Sequence, residues 1–290
     1  MRRFVILFLL LKLSCLAESR IDCNALNSKI LHQTVHYCVL LPSGYEADKS
    51  ATFPVLYFLH GLGENEQTLF KTGGWSLVQD LEQQKKISPF LIVTPEAKAS
   101  FYVNSANGKV LYSDFLMREF IPFIEKRFRV REGRPWRAIS GISMGGYGAL
   151  RFAFAFPQMF SAVSAESAAL LTSSPQQLDA AMRTGSPIVR LLGPVFGNPI
   201  SVAHWNKNNP FTLAKENRVA IRKLAIYFNC GRNDEYQFED GAEALDRLLS
   251  QEKVKHEYYL YPGNHTASYF LEHLGEVLQF HSKNFGTRGR

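Results

Sequence analysis

The sequence predicts an α/β fold, a mostly parallel sheet with helices on both faces, and three observations carry that expectation. Short, almost wholly apolar runs recur without alternation, as strands covered on both sides require. Segments with apolar residues at helical spacing separate them through most of the chain, the order of a parallel sheet. One strand also runs directly into a helix through a glycine-rich turn, Gly141-Ile142-Ser143-Met144-Gly145.

The elements follow in order. Arg2 and Arg3, the apolar run Phe4–Leu11, the interrupting Lys12 and the small Ala17 have the layout of a secretory signal. We expect residues 1–17 to be cleaved, and the mature chain to be secreted or periplasmic. The apolar run is short for a membrane span, so no stable span is expected in the mature form. A retained anchor is the rival, and Lys12 argues against a lipoprotein site at Cys15. Cys23–Leu41 reads as two antiparallel strands, followed by the turn Pro42-Ser43-Gly44-Tyr45. Phe53–Leu59 and Phe90–Val93 are buried-type strands, with the helix Trp75–Gln84 between them. Ser113–Phe128 is expected as a helix with Ser113 and Asp114 at its N-cap.

Arg137–Ile142 is the next strand, Met144–Phe156 a helix stopped by Pro157, and Phe160–Ser164 and Leu224–Cys230 further strands. The helix Phe238–Ser250, the strand His256–Tyr261 and the helix Ser268–Phe285 close the chain. The stretch 171–217, rich in Ser, Pro, Gly and Asn, is expected to be an irregular insertion arching over the sheet edge. Residues 18–290 then form one domain.

At 46% hydrophobic and 20% charged, the chain is globular and long enough to bury a core without metals or disulfides. Of the formal charge of +7, Arg2, Arg3 and Lys12 supply three, leaving +4 spread along the rest. No basic stripe points to nucleic acid. Cys23 and Cys38 lie on neighbouring strands of an exported chain, which leaves a bridge open; sequence cannot supply its geometry. Cys230 reads as a buried, inert thiol, and no spacing of Cys or His suggests zinc. No metal or cofactor is expected.

The glycine-rich turn is a G-x-S-x-G match, weak alone but placed between a strand and a helix, as a nucleophile elbow requires. The sharp turn lifts the Ser143 hydroxyl above the sheet. A hydroxyl needs a base to become nucleophilic. Of the eight histidines, His265, in the loop before the closing helix, is the choice. His256, His273 and His281 read as packing or surface residues, and His60 as part of a loop. Asp234 follows a strand end, where an acid could orient that imidazole. Glu235 and Asp240 are its rivals. The oxyanion donors are expected at the amides of Met144 and Leu62, with Gly61 the alternative to Leu62.

At this point the chain resembles the esterase D-like branch of the α/β hydrolases, with S-formylglutathione hydrolases, feruloyl esterases and mycolyltransferases. The resemblance rests on Pro54–Gly63, Ser140–Ala149, Cys230-Gly231 with Asp234, and Gly263-Asn264-His265-Thr266. It implies the α/β-hydrolase fold, a Ser143–Asp234–His265 triad, and oxyanion amides at Leu62 and Met144. It also places Phe101–Asn104 and Trp205–Pro210 near a substrate cleft. Tyr102 and Trp205 are therefore expected to line an acyl pocket, or else to pack beneath the insertion. The implied activity is ester hydrolysis through an acyl-enzyme, on feruloyl, acetyl or other short acyl esters, small or polysaccharide-linked. Acyl transfer to a sugar or lipid alcohol is the alternative. A non-catalytic binding protein would predict an eroded triad, which is not seen.

Overall fold

The computed structural model describes residues 19–185 and 187–286. The leader at 1–17, with Cys15 and Ala17, lies outside the described residues. The strands are β1 (Arg20–Ser28), β2 (Gln33–Leu41), β3 (Val55–Leu59), β4 (Leu91–Pro95), β5 (Arg137–Ile142), β6 (Ala162–Glu166), β7 (Ala225–Gly231) and β8 (Glu257–Tyr261). They form one eight-stranded sheet in the order β1-β2-β4-β3-β5-β6-β7-β8. β2 is antiparallel to β1 and to β4; the other pairs are parallel.

Alternate residues of the central strands feed two cores. Val55, Tyr57 and Leu59 face one side, and Leu56 and Phe58 the other. On the first side lie helix α2 (Met144–Ala155) and helix α3 (Phe238–Gln251), burying Phe152, Leu245 and Leu249. On the second lie α1 (Gly74–Gln83) and α4 (Ala267–Asn284), burying Val78, Leu274 and Val277. Each such Leu, Val or Phe side chain stabilises the fold by about 1.5–3 kcal/mol. This is why the strands read as continuous apolar runs: neither face meets water.

Cys23 and Cys38 stand opposite each other in the β1–β2 register and are joined by a disulfide. At a sequence separation of 15, the bridge contributes about 3 kcal/mol on a chain-entropy argument. It fastens the edge strand β1 to β2, alongside the Thr34–Asn27 side-chain bond across the pair and the bonds from Ser28, Lys29 and Ile30 to the Glu119 carboxylate.

Two segments depart from expectation. Ser113 and Asp114 do not cap a helix. The first turn is Tyr112–Phe115, its N-cap is Leu111 without a side-chain bond, and a π-helical stretch, Leu116–Phe120, precedes Ile121–Arg127. Tertiary partners take the side chain: Ser113 Oγ accepts from the buried Arg151 at 2.7 Å. The 171–217 stretch is also less irregular than its composition suggests. It holds short helices, among them Pro175–Arg183, with a Ser174–Gln177 capping box, and Val202–Asn208, capped by Ser201. Asn208 anchors it to α2, its side-chain oxygen accepting from Arg151 and its carbonyl from Tyr147.

Candidate functional site

The turn between β5 and α2 is held in a conformation that only its neighbours can enforce. Ser143 has φ 53° and ψ −119°, a region side chains avoid. Its N–H donates to Glu166 O at 2.9 Å, and its carbonyl accepts from Ala169 N at 3.0 Å, so the end of β6 clamps it. A Cβ on Gly145 would lie 1.9 Å from Leu59 O, and one on Gly141 2.4 Å from the Gly145 backbone. The glycines of the motif are therefore a steric requirement. The turn leaves Ser143 at the C-terminal edge of the sheet, partly exposed, with the N-terminus of α2 behind it.

Two further loops bring groups to the same edge. Asp234 follows β7, and its side chain is fully buried. Its Oδ2 lies 2.7 Å from His265 Nδ1, and its Oδ1 accepts the Tyr236 N–H at 3.0 Å. Of the rivals, Glu235 takes the backbone N–H of His265 at 2.7 Å, while Asp240 sits in the first turn of α3. The His265 ring is enclosed by Tyr236, Phe238 and Phe270, all near-perpendicular, at 4.9, 5.4 and 5.2 Å between centroids. Ser143 and His265 both line one cavity of about 210 Å³. No hydrogen bond joins Ser143 Oγ to the ring in this structure; such bonds commonly tighten only with substrate in place.

The loop after β3 supplies the opposite wall. Gly61, Leu62 and Met144 line the cavity. The Gly61 N–H is already committed to Glu64 Oε2 at 2.7 Å, whereas no described acceptor takes the Leu62 N–H. That distinction favours Leu62 over Gly61 as a donor to an incoming oxygen. Burial pushes the Glu64 carboxyl above its ordinary value, partly offset by the Gly61 bond and the nearby His265. His60 is structural: the Ala97 N–H donates to its Nε2 at 2.9 Å, so Nδ1 carries the proton that bonds Gly61 O at 2.7 Å.

Neither aromatic residue expected at the pocket lines it. Tyr102 is fully buried, donates its hydroxyl to His60 O at 2.9 Å, and lies where a Cβ on Gly148 would strike it. Trp205 packs edge-on against Phe196. Tyr102 therefore packs in the core beside His60 and Tyr112, and Trp205 within the 171–217 segment itself. The cavity wall is instead Phe101, Tyr236, Phe238 and Phe270, with Glu64 at its rim. Tyr236 and Phe238 could have been found from their place just after Asp234; Phe101 lies in a segment the resemblance puts near a cleft, but only the turn at Phe101 and Tyr102, both at positive φ, decides which of the two rings meets the cavity.

A hydroxyl at a strained elbow, an imidazole paired with a buried carboxylate, and free amides across a small cavity can together support acyl transfer. Among the described residues, no group of three or more His, Cys, Asp or Glu is placed to hold a metal, and no helix is long and apolar enough to cross a membrane.

Known proteins are similar to this chain in fold and in sequence. A solved ferulic acid esterase superposes with a TM-score of 0.79 and 26% identity, covering 93% of this chain and all of that one. An S-formylglutathione hydrolase from Agrobacterium tumefaciens, 16% identical, shares the fold with a TM-score of 0.74 over 93% of this chain and 96% of its own. In sequence, an acetyl esterase of Caldicellulosiruptor saccharolyticus is 26% identical over 88% of this chain and 96% of its own length. An esterase of Mycobacterium tuberculosis is 29% identical over 78% of this chain, which spans about half (51%) of that relative. The sheet and its flanking helices are those of the α/β hydrolases. Residues 28–281 match the family model described as "Putative esterase", and the chain belongs to that esterase family.

Proposed function

We propose that this chain is an exported carboxylic-ester hydrolase that works through an acyl-enzyme on Ser143. The observation that carries the reading is the Asp234–His265 pair at 2.7 Å, opening on the same cavity as the elbow serine. In the first half-reaction, His265 Nε2 takes the Ser143 proton as Oγ bonds to the ester carbonyl carbon. The carbonyl oxygen gains the displaced electron pair and is met by the Leu62 and Met144 amides. The carbon–alkoxy bond then breaks, and the alcohol leaves with the proton from His265. In the second half-reaction, water gives its proton to His265, attacks the acyl carbon, and the acid departs from a restored Ser143. Asp234 holds the imidazole tautomer and stabilises the imidazolium throughout.

The aromatic walls Phe101, Tyr236, Phe238 and Phe270 suit a short or flat acyl group, acetyl or feruloyl in kind. The names of the relatives, acetyl esterase and ferulic acid esterase, agree with that choice. Removal of residues 1–17 would release residues 18–290 as one exported domain, with 171–217 as the insertion over the cleft.

Ser143→Ala is expected to lower kcat on 4-nitrophenyl acetate by roughly 10⁴–10⁶-fold. It should also abolish fluorophosphonate labelling while leaving the circular dichroism spectrum unchanged. Free acid should remain the main product when methanol or a sugar is added; an ester product would make the chain an acyltransferase. A variant with wild-type rates would remove Ser143 from the mechanism.

A further inference from the structure

On the far edge of the sheet, away from the cavity, β8 and the outer part of α4 enclose a second groove of about 320 Å³. Its organising feature is a stack of rings. The Tyr261 ring lies parallel to His273 at 4.1 Å and 6° between planes. Tyr259, two residues along the same face of β8, lies parallel to Tyr261 at 5.6 Å and again 6°. Tyr259 is 42% exposed, so the stack ends in a ring that reaches solvent. Tyr227 and Phe280 form the floor beneath it.

The rim is polar and preorganised. Glu276 Oε2 accepts from the Tyr227 hydroxyl at 3.0 Å and the Tyr261 hydroxyl at 2.6 Å, which holds that carboxylate still. Glu257, Gln279 and Lys283 stand around it. An aromatic surface rimmed by two carboxylates, of which Glu276 is fixed by its tyrosines, two amides and one ammonium group matches a ring with apolar C–H faces and an equatorial belt of hydroxyls. Two carboxylates against one lysine oppose an acidic sugar. An apolar protein face would leave the rim groups without partners.

We propose that this groove is a non-catalytic binding site for a neutral pyranose unit of a polysaccharide, stacked on Tyr259. The groove shares no lining residue with the Ser143 cavity. α4 connects the two: Phe270 lines the cavity and Lys283 the groove, about 20 Å apart along the helix axis. A glycan held at one end would keep esters on its chain near the other. The binding itself does not depend on the proposed hydrolysis.

The test is affinity electrophoresis in native gels containing arabinoxylan, glucomannan or mixed-linkage β-glucan, run in a Ser143→Ala background. Retardation by at least one of these glycans is expected, with binding weakened about tenfold by Tyr259→Ala and kept by Tyr259→Trp. With Ser143 intact, 4-nitrophenyl acetate turnover by the Tyr259 variants should match wild type. Gln279→Ala serves as the second probe if Tyr259→Ala fails to fold, and it too should weaken retention. The proposal is overturned if none of the glycans retards the protein, or if the groove variants are retarded as strongly as their parent. A dimer in sedimentation that Tyr259→Ala dissolves, without glycan retention, would instead assign the face to a second copy of the chain.

Discussion

His265 precedes helix α4 and His281 lies within its last turn, and the two differ in almost everything but residue type. His265 stands just before the helix, beside a carboxylate and open to a cavity. His281 lies in its last turn, with no exposed surface, its Nε2 within 2.7 Å of Ser164 Oγ, which in turn donates to Ser140 Oγ at 2.7 Å. Burial drives the second imidazole down to about 3, so it stays neutral at any ordinary pH. The lesson is that an imidazole becomes a proton carrier through its neighbours. A carboxylate on one nitrogen and an accessible face on the other suit it to that role; a hydroxyl in a dry core makes it a strut.

The largest expected effect sharpens that contrast. His265→Ala should lower kcat by roughly 10⁴–10⁶-fold with little change in unfolding temperature. His281→Ala should leave kcat on the same ester nearly unchanged but destabilise the fold by about 2–4 kcal/mol, measured by urea unfolding. If both variants lost activity at equal stability, the division of roles would break.

The acid limb comes next. His281 in the unfolded chain accepts a proton near its ordinary value of 6.5, whereas the folded group does so only near 3. Stability should therefore fall as pH drops from about 6.5 towards 3, by at most roughly 4–5 kcal/mol from this group. In His281→Gln that slope should be shallower over the same window.

Glu166 gives a counterpart of opposite sign. It is fully buried, neither carboxylate oxygen makes a well-aligned hydrogen bond, and burial, only partly offset by the Asn229 side chain beside it, raises it to about 8 from 4.5. Its folded form keeps the proton while the unfolded form releases it, so stability should fall as pH rises from about 4.5 to 8. Glu166→Gln should flatten that decline in thermal melts. An unchanged slope would mean that the carboxyl finds water or ionises freely.

How much of this was legible in the sequence depends on which physics wrote each feature. Strands such as Val55–Leu59 and Ala162–Glu166 sit between two helical layers, so composition alone discloses them. The elbow was legible because a strand runs through its glycines straight into a helix, although the collision that demands Gly145, with Leu59 O, is not a local one. The loops bearing Asp234 and His265 were legible through their order in the chain, although the 2.7 Å contact was not. The π-helical stretch Leu116–Phe120 was hidden, since apolar spacing over one turn does not separate it from an α-helix. Tyr102 and Phe101 show the same limit: two adjacent aromatic residues, one in the core and one on the cavity, distinguished only by backbone angles. Glu166 was hidden for another reason, because nothing local announces that a strand-end carboxylate will be left without a well-aligned partner.

The clamp on Ser143 by the end of β6 means that the proposed nucleophile takes its bearings from the sheet, while the cavity wall comes from loops at its rim. Selection can therefore remodel the rings of the cavity wall without re-aiming the hydroxyl. A shared elbow with altered taste is the expected pattern of divergence, and grafting rim loops between relatives is a practical way to redirect this chain.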